Sequence, residues 1–170
     1  MLIKSPATYT PSDARRSLLV NGLWETYKQF PFNAEIPRAD LAEPGPTTLA
    51  ASKLALALVM EECVKEKDTS YIGALERYIA HPTLENAVAL ADGGIDTIYV
   101  IMQAFYQLDL PFEELFCAVH ANNMRKLMRD EQGNLMKRAD GKLMKPENHP
   151  APDLIGVLMR HLDAKSTEEK

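Results

Sequence analysis

Apolar residues recur at helical spacing through most of the chain, and the strict alternation that marks a half-buried strand is nearly absent. Leu18, Leu19, Leu23, Trp24 and Tyr27 predict a first helix over residues 11–29, with Ser12 or Asp13 as its cap. The segment NAEIPRADLAEPGP is proline-rich and reads as an irregular surface connection. Thr47 or Thr48 then caps a strong helix, LAASKLALALVMEECVKEK, whose start is rich in Ala and Leu and whose end is charged. SYIGALERYIA fits a shorter helix stopped at His81-Pro82, because the residue before a proline disfavours helical geometry. Thr83 opens the longest helix, LENAVALADGGIDTIYVIMQAFYQL, which breaks at Asp109-Leu110-Pro111, and FEELFCAVHANNMRKLM forms the next. Short connections between such helices predict antiparallel packing, so the fold class is all-α, a helical bundle with its core over residues 46–128.

Beyond Met128 the pattern changes. Leu135-Met136-Lys137 and Leu143-Met144-Lys145 form a near-repeat around Asp140-Gly141, a dipeptide suited to tight turns, so residues 129–154 predict a small β-hairpin and loop tail. Asp130, Gln132 and Asn134 have the look of a calcium loop, but the Gly and terminal Glu positions that loop needs are unfilled, and we reject it. DLIGVLMRHLDAK reads as a short helix before a polar tail, over residues 155–170.

Composition narrows the class. A chain of 170 residues, 46% hydrophobic and 25% charged, can bury one proper core, and residues 1–170 are read as a single domain. A net charge of -5 argues against nucleic acid as a partner, since phosphate needs a basic face. Cys63 and Cys117, the 2 cysteines, have no metal-type spacing and read as buried reduced thiols. The start of the chain has no apolar signal core, and no run approaches the roughly 18 residues that span a bilayer. The expectation is a cytoplasmic protein with no membrane partner.

The acidic residues carry the candidate chemistry. Glu62 and Glu66 are four apart, about 40° apart around a helix, and Asp92 and Asp96 repeat that geometry on another helix. Glu61 adjoins Glu62 and flanks the pair. Taken alone, EECVKEKD reads as a solvated charged run. The aspartates are harder to dismiss, because Val88, Leu90, Ile95, Ile98, Tyr99, Val100 and Met102 around them leave little polar face, and a buried carboxylate needs pairing, hydrogen bonds or a metal. Carboxylates with no His or Cys among them are hard oxygen donors that favour Mg²⁺ or Mn²⁺. The absence of a Glu-x-x-His pair weakens a di-iron reading. Gly93-Gly94 costs roughly 1 kcal/mol per glycine relative to Ala in a helix, and either admits a neighbouring helix or nucleotide base or reflects tight packing. Trp24 and Tyr27 could stack a base, but an aromatic pair at this spacing reads first as core; His120 and Asn122 have no assigned role.

An acidic pair ending one helix, a spacer, and a second acidic pair running into DTIY (Asp96 to Tyr99) resemble the all-α nucleoside triphosphate pyrophosphohydrolases, the MazG-like, dimeric dUTPase and phosphoribosyl-ATP pyrophosphohydrolase group. VHANNMRKL (Val119 to Leu127) is similar to that family's Asn-Met-x-Lys segment, and DGKLMKPENHPAPDL (Asp140 to Leu154) resembles the tail of its phage-type members. The resemblance covers Leu54 to Leu154. It departs at two points: Lys65 stands where the commoner pattern has its second Glu, and Gly93 stands three before Asp96, with Asp92 supplying the acid one residue earlier.

The resemblance implies hydrolysis of a (d)NTP between the α and β phosphates, giving (d)NMP and pyrophosphate, with a deoxynucleotide, conceivably a purine such as dGTP, as substrate. It implies Glu62, Glu66, Asp92 and Asp96 as ligands of Mg²⁺ or Mn²⁺, with Glu61 or one of the four as general base. It implies Asn123, Lys126, Lys142 and Lys145 as polyphosphate contacts, and assembly as a homodimer or homotetramer, for which LALALV offers an apolar stripe. Two other classes stay open: a noncatalytic nucleotide-sensing helical oligomer and a carboxylate-bridged redox metal protein.

Overall fold

The structure is a computed structural model that describes residues 10, 20–29, 36, 38–65 and 70–168. It is mostly helical, with α1 (Val20–Lys28), α2 (Pro46–Met60), α3 (Tyr71–Ala80), α4 (Leu84–Gln107), α5 (Phe112–Arg125) and α6 (Leu154–Glu168). The chain divides into two compact units, Trp24–Phe112 and Met1–Leu23 with Glu113–Lys170. Each is described by itself. The start of the expected first helix, including Ser12 and Asp13, lies outside the described residues.

Local chemistry sets the helix ends. Gly45, rather than Thr47 or Thr48, caps α2, and Pro46 fills the first helical position, where its missing N–H is no loss. Thr48 sits one turn in and its hydroxyl accepts from the Gly45 N–H at 3.1 Å. Ser70 caps α3 by accepting from the Gly73 N–H at 3.3 Å, and Thr83 caps α4 by accepting from the Asn86 N–H at 3.2 Å. Asp153 does the same for α6 through the Gly156 N–H at 2.9 Å, and that helix runs on through the segment expected to be a polar tail. α4 closes in a paired turn: Leu110 N–H donates to Phe105 O at 2.9 Å and Asp109 N–H to Tyr106 O at 3.3 Å. Asp109 takes the left-handed position with φ 55, a conformation Asp tolerates better than most residues.

In the unit Trp24–Phe112, α2 and α3 both pack along α4. Small residues make the close contacts: Ala51 and Ala55 of α2 and Gly73 and Ala74 of α3 are buried. Of the leucines of LALALV, Leu54 and Leu58 are half-buried and Leu56 is 63% exposed. Aromatic rings close the far end. Tyr27 is 1% exposed, stacks on Trp24 at 5.7 Å and meets Tyr99 and Tyr106 edge-on, so it is a core residue.

By length and composition alone α4 is long and apolar enough to cross a membrane, which the sequence reading had not expected of any segment. The helix itself is the continuous one expected from Thr83 onward; Gly93-Gly94 and the acids interrupt only its apolar run. A charge near its middle would cost about 2.5–3.5 kcal/mol in a bilayer, and α2 and α3 lie along it here.

In the other unit, Cys117, Ala118, Ala121 and Asn122 form the buried face of α5. The tail is a chain of tight turns rather than a full hairpin, with isolated antiparallel bridges at Arg129–Leu135 and Lys137–Leu143. Gly133 and Gly141 turn the corners at φ 86 and φ 80, where a side chain would be strained. Asp130 organises the first turn, accepting from the N–H groups of Gln132 at 3.0 Å and Asn134 at 2.8 Å. The Asn134 N–H leads the interactions that hold its carboxyl below the usual carboxylate range, so its oxygens are engaged by the chain itself.

Candidate functional site

α2 does not end where its α-helical winding ends. It continues as a π-turn over Glu61–Lys65, a wider winding that accommodates an extra residue and recurs at functional sites. The Glu61 N–H sits at the changeover, donating to both Ala57 O and Leu58 O.

α4 brings the second acidic pair to this turn. The Thr97 hydroxyl donates to the Glu62 carbonyl oxygen over 3.5 Å, which sets the helix segment bearing Asp96 beside Glu62. The Glu62 carboxyl is pushed above its ordinary range first by burial, then by Asp96, Glu61 and Asp92. Four of the five acids singled out from the sequence therefore share one electrostatic neighbourhood. Glu66, the fifth, lies outside the described residues. Among the described residues no Lys or Arg forms an ion pair with Glu61, Glu62, Asp92 or Asp96.

One expectation is corrected. Asp92 and Asp96 are exposed, not buried. Of the apolar residues that suggested burial, Val88 (61%), Ile95 (57%), Ile98 (46%) and Tyr99 (40%) are exposed as well, Leu90 and Val100 are half-buried, and Met102 is buried. The hydrophobic pattern marked a face of α4 correctly as apolar, but nothing in this unit covers that face.

The donor chemistry fits a hard divalent cation, since every candidate offers oxygen and the local charge is uncompensated. The geometry is open: among the described residues no group of three or more His, Cys, Asp or Glu stands close enough to hold a metal ion.

The glycines belong to different surroundings. Gly93 is buried in α4. A Cβ on Gly94 would lie 3.5 Å from the Tyr71 ring of α3, and Tyr71, Leu90, Gly94, Ile95 and Ile98 line an apolar groove of about 490 Å³.

In the other unit, three of the four expected phosphate contacts meet. Asn123, Lys126 and Lys145 line one cavity of about 380 Å³ together with His120, Met124 and Met144. Lys126 Nζ donates to Asn123 Oδ1 at 3.0 Å, so amide and ammonium form one unit on α5. Lys145 arrives from the tail, which is registered by the Met144 N–H donating to Met136 O at 2.9 Å. Lys142 does not line the cavity and lies 3.9 Å from Asp140, which also binds Arg138 at 2.9 Å.

The sequence left His120 unassigned, and the structure puts it on the cavity wall with its ring stacked on Phe116. His149 was missed. Its Nε2 lies 2.7 Å from Asn122 Oδ1, fastening the NHPAPDL segment to α5. A polar Asn on an otherwise apolar helix face was the available signal.

No protein-family model matches the chain, and no curated protein matches it.

Proposed function

We propose that the protein is a Mg²⁺- or Mn²⁺-dependent nucleoside triphosphate pyrophosphohydrolase, converting a (d)NTP and water to (d)NMP and pyrophosphate. One observation carries the reading: the Glu62 carboxyl is raised from its ordinary value first by burial and then by Asp96, Glu61 and Asp92, acids drawn from two elements, and no Lys or Arg among the described residues pairs with it. A fold meets such a cost where a cationic ligand repays it.

Glu62, Asp92 and Asp96, with Glu66, are the residues assigned to hold the metal. A bound divalent ion would supply charge neutralisation for the polyphosphate and a lowered pKa for water. The protein's own part is to aim the carboxylates and to take a proton. Glu62, or another of the four, would take the proton from the attacking water. Glu61 stands beside it in the π-turn as the alternative base. The assigned polyphosphate contacts, Asn123, Lys126, Lys142 and Lys145, all lie in the other unit, where the cavity lined by Asn123, Lys126 and Lys145 offers an anion an amide donor and charge-assisted contacts, with Lys142 outside it. The substrate is read as a deoxynucleotide in a cytoplasmic pool, with dGTP the purine to test first. The bare apolar face of α4 and the exposed Leu56 suit a homodimer or homotetramer.

The open arrangement of the acids favours, as the second reading, a nucleotide-sensing helical oligomer that binds without turnover. A panel of ribo- and deoxynucleoside triphosphates and phosphoribosyl-ATP, with each metal and with pyrophosphate and phosphate measured separately, decides between them. Pyrophosphate from at least one substrate is expected; none with either metal removes the hydrolase. A carboxylate-bridged redox protein would instead show near-ultraviolet absorption on iron loading.

A further inference from the structure

We infer that Gln103 and Gln107 of α4 form the nucleobase-recognising end of the same site. This rests on the proposed nucleotide chemistry and extends it to the part of the substrate the carboxylates do not reach.

Helical geometry aligns the residues. Taking Asp96 as origin, Asp92, Gln103 and Gln107 fall at about -40°, -20° and +20° around the axis, a single polar stripe on an otherwise apolar helix. The stripe changes character along its length. Asp92 and Asp96 are exposed, whereas Gln103 is 7% and Gln107 0% exposed. Gln103 Nε2, Gln107 Nε2 and Gln107 Oε1 are buried with no hydrogen-bond partner among the described residues. An orphan amide in an apolar surround is costly, and an amide offering both a donor and an acceptor complements the polar edge of a base.

Aromatic rings lie beside this part of α4. Tyr27 reaches both Tyr99, at 5.6 Å, and Tyr106, at 6.3 Å, and so lies across the turn of α4 that carries Gln103. Trp24 stacks on Tyr27, and Arg38 lies 4.1 Å over the Tyr106 ring. The Ala39 N–H donates to Gln107 O at 2.6 Å, so the 38–41 segment closes the end of the stripe. These rings offer a base its stacking surface, and α1 must lift Tyr27 to admit it. Asp96 and Gln103 are separated by a rise of about 10 Å, comparable to the reach from the phosphate chain to the base edge of a nucleotide.

The test uses Trp24, the 1 tryptophan of the chain, as reporter. Its fluorescence is titrated with nonhydrolysable nucleoside triphosphates, with base-free ribose triphosphate and with inorganic triphosphate, all in Mg²⁺. At least one nucleotide is expected to bind about tenfold more tightly than base-free ribose triphosphate, and Gln103→Leu and Gln107→Leu should each remove most of that preference. Both variants should melt no lower than wild type without ligand, since each removes an orphan amide. No preference for a base in the wild-type protein overturns the inference without recourse to a variant. So does a preference that survives both substitutions with lowered stability, which would give the amides to internal water. Base-dependent binding lost in the variants, with no pyrophosphate from the wild type, keeps the base site and removes the hydrolase. Equal hydrolysis of nucleotide and base-free triphosphate keeps the hydrolase and removes the base site.

Discussion

The hydroxyl of Thr97 donates to the carbonyl oxygen of Glu62 across 3.5 Å, so the helix bearing Asp92 and Asp96 is fastened, next to Asp96, onto the π-turn bearing Glu61 and Glu62. This contact holds like charges together, and stability should report it. The Glu62 carboxyl is raised above 4.5 in the folded protein, by burial first and then by Asp96. Between that value and its folded pKa the folded state binds more protons than the unfolded one, so stability falls as pH rises through this window. Glu62→Gln removes the fall. The variant should melt higher than wild type at neutral pH without divalent ions, and the gap should close as pH drops to about 4.5. Melting curves at constant ionic strength from about pH 4 to about pH 8 check this, and a gap independent of pH would separate Glu62 from the other acids.

Asp96→Asn keeps the size of the side chain and removes the charge. Asp96 is exposed and has no ion-pair partner among the described residues, so the helical circular dichroism should not change. Pyrophosphate release should fall by more than about 100-fold, the upper range for changes that only support a metal ligand. Near-normal turnover would take Asp96 out of the metal site.

How far the sequence exposed this arrangement differs from element to element. Thr83 was readable as a helix start because a short hydroxyl before an apolar run has one strong local use, and it caps as expected, while Ser70, read as the first residue of the next shorter helix, proves to be its cap. Thr47 and Thr48 offered the same signal, but Gly45-Pro46 won, since proline fits the first helical turn better than the second. Asn123, Lys126 and Lys145 meet in one cavity because helical spacing fixed the first two and the Asp140-Gly141 turn returned the third. The exposure of Asp92 and Asp96 was not legible. Periodicity tells which face of a helix is apolar, not whether the same chain covers it. The orphan amides of Gln103 and Gln107 were equally hidden, because periodicity does not tell which polar side chains of a helix are left buried without a partner.

Ser70→Ala tests the cap that begins α3. Ser70 is 1% exposed and its hydroxyl satisfies the Gly73 N–H, so its loss should cost about 1 kcal/mol. For a chain of this length that lowers the melting temperature by about 2–4 °C. Turnover at a temperature well below melting should be retained.

The lysines of the tail and α5 should separate. Lys126 pairs with Asn123 on the cavity wall, and a charge-assisted contact to phosphate is worth about 1.5–3 kcal/mol, so Lys126→Ala should raise KM by about 10-fold or more. Lys142 is exposed and faces Asp140, so Lys142→Ala should change KM much less. Steady-state kinetics on the best substrate of the panel compares them; equal losses would mean that charge, not placement, is what the substrate feels.

Gly94→Ala asks what the paired glycines are for. Gly94 lies two residues before Asp96, on nearly the opposite side of α4, and its missing side chain faces the Tyr71 ring of α3. A methyl there would meet that ring at 3.5 Å, an ordinary contact, while Ala is better than Gly in a helix by about 1 kcal/mol. The variant should therefore be more stable, melting about 2–4 °C higher, with nucleotide turnover unchanged. A gain in stability with lost activity would instead mean that the groove beside Tyr71, Leu90 and Ile98 takes part in the reaction, and that the glycine is kept for a ligand rather than for the neighbouring helix.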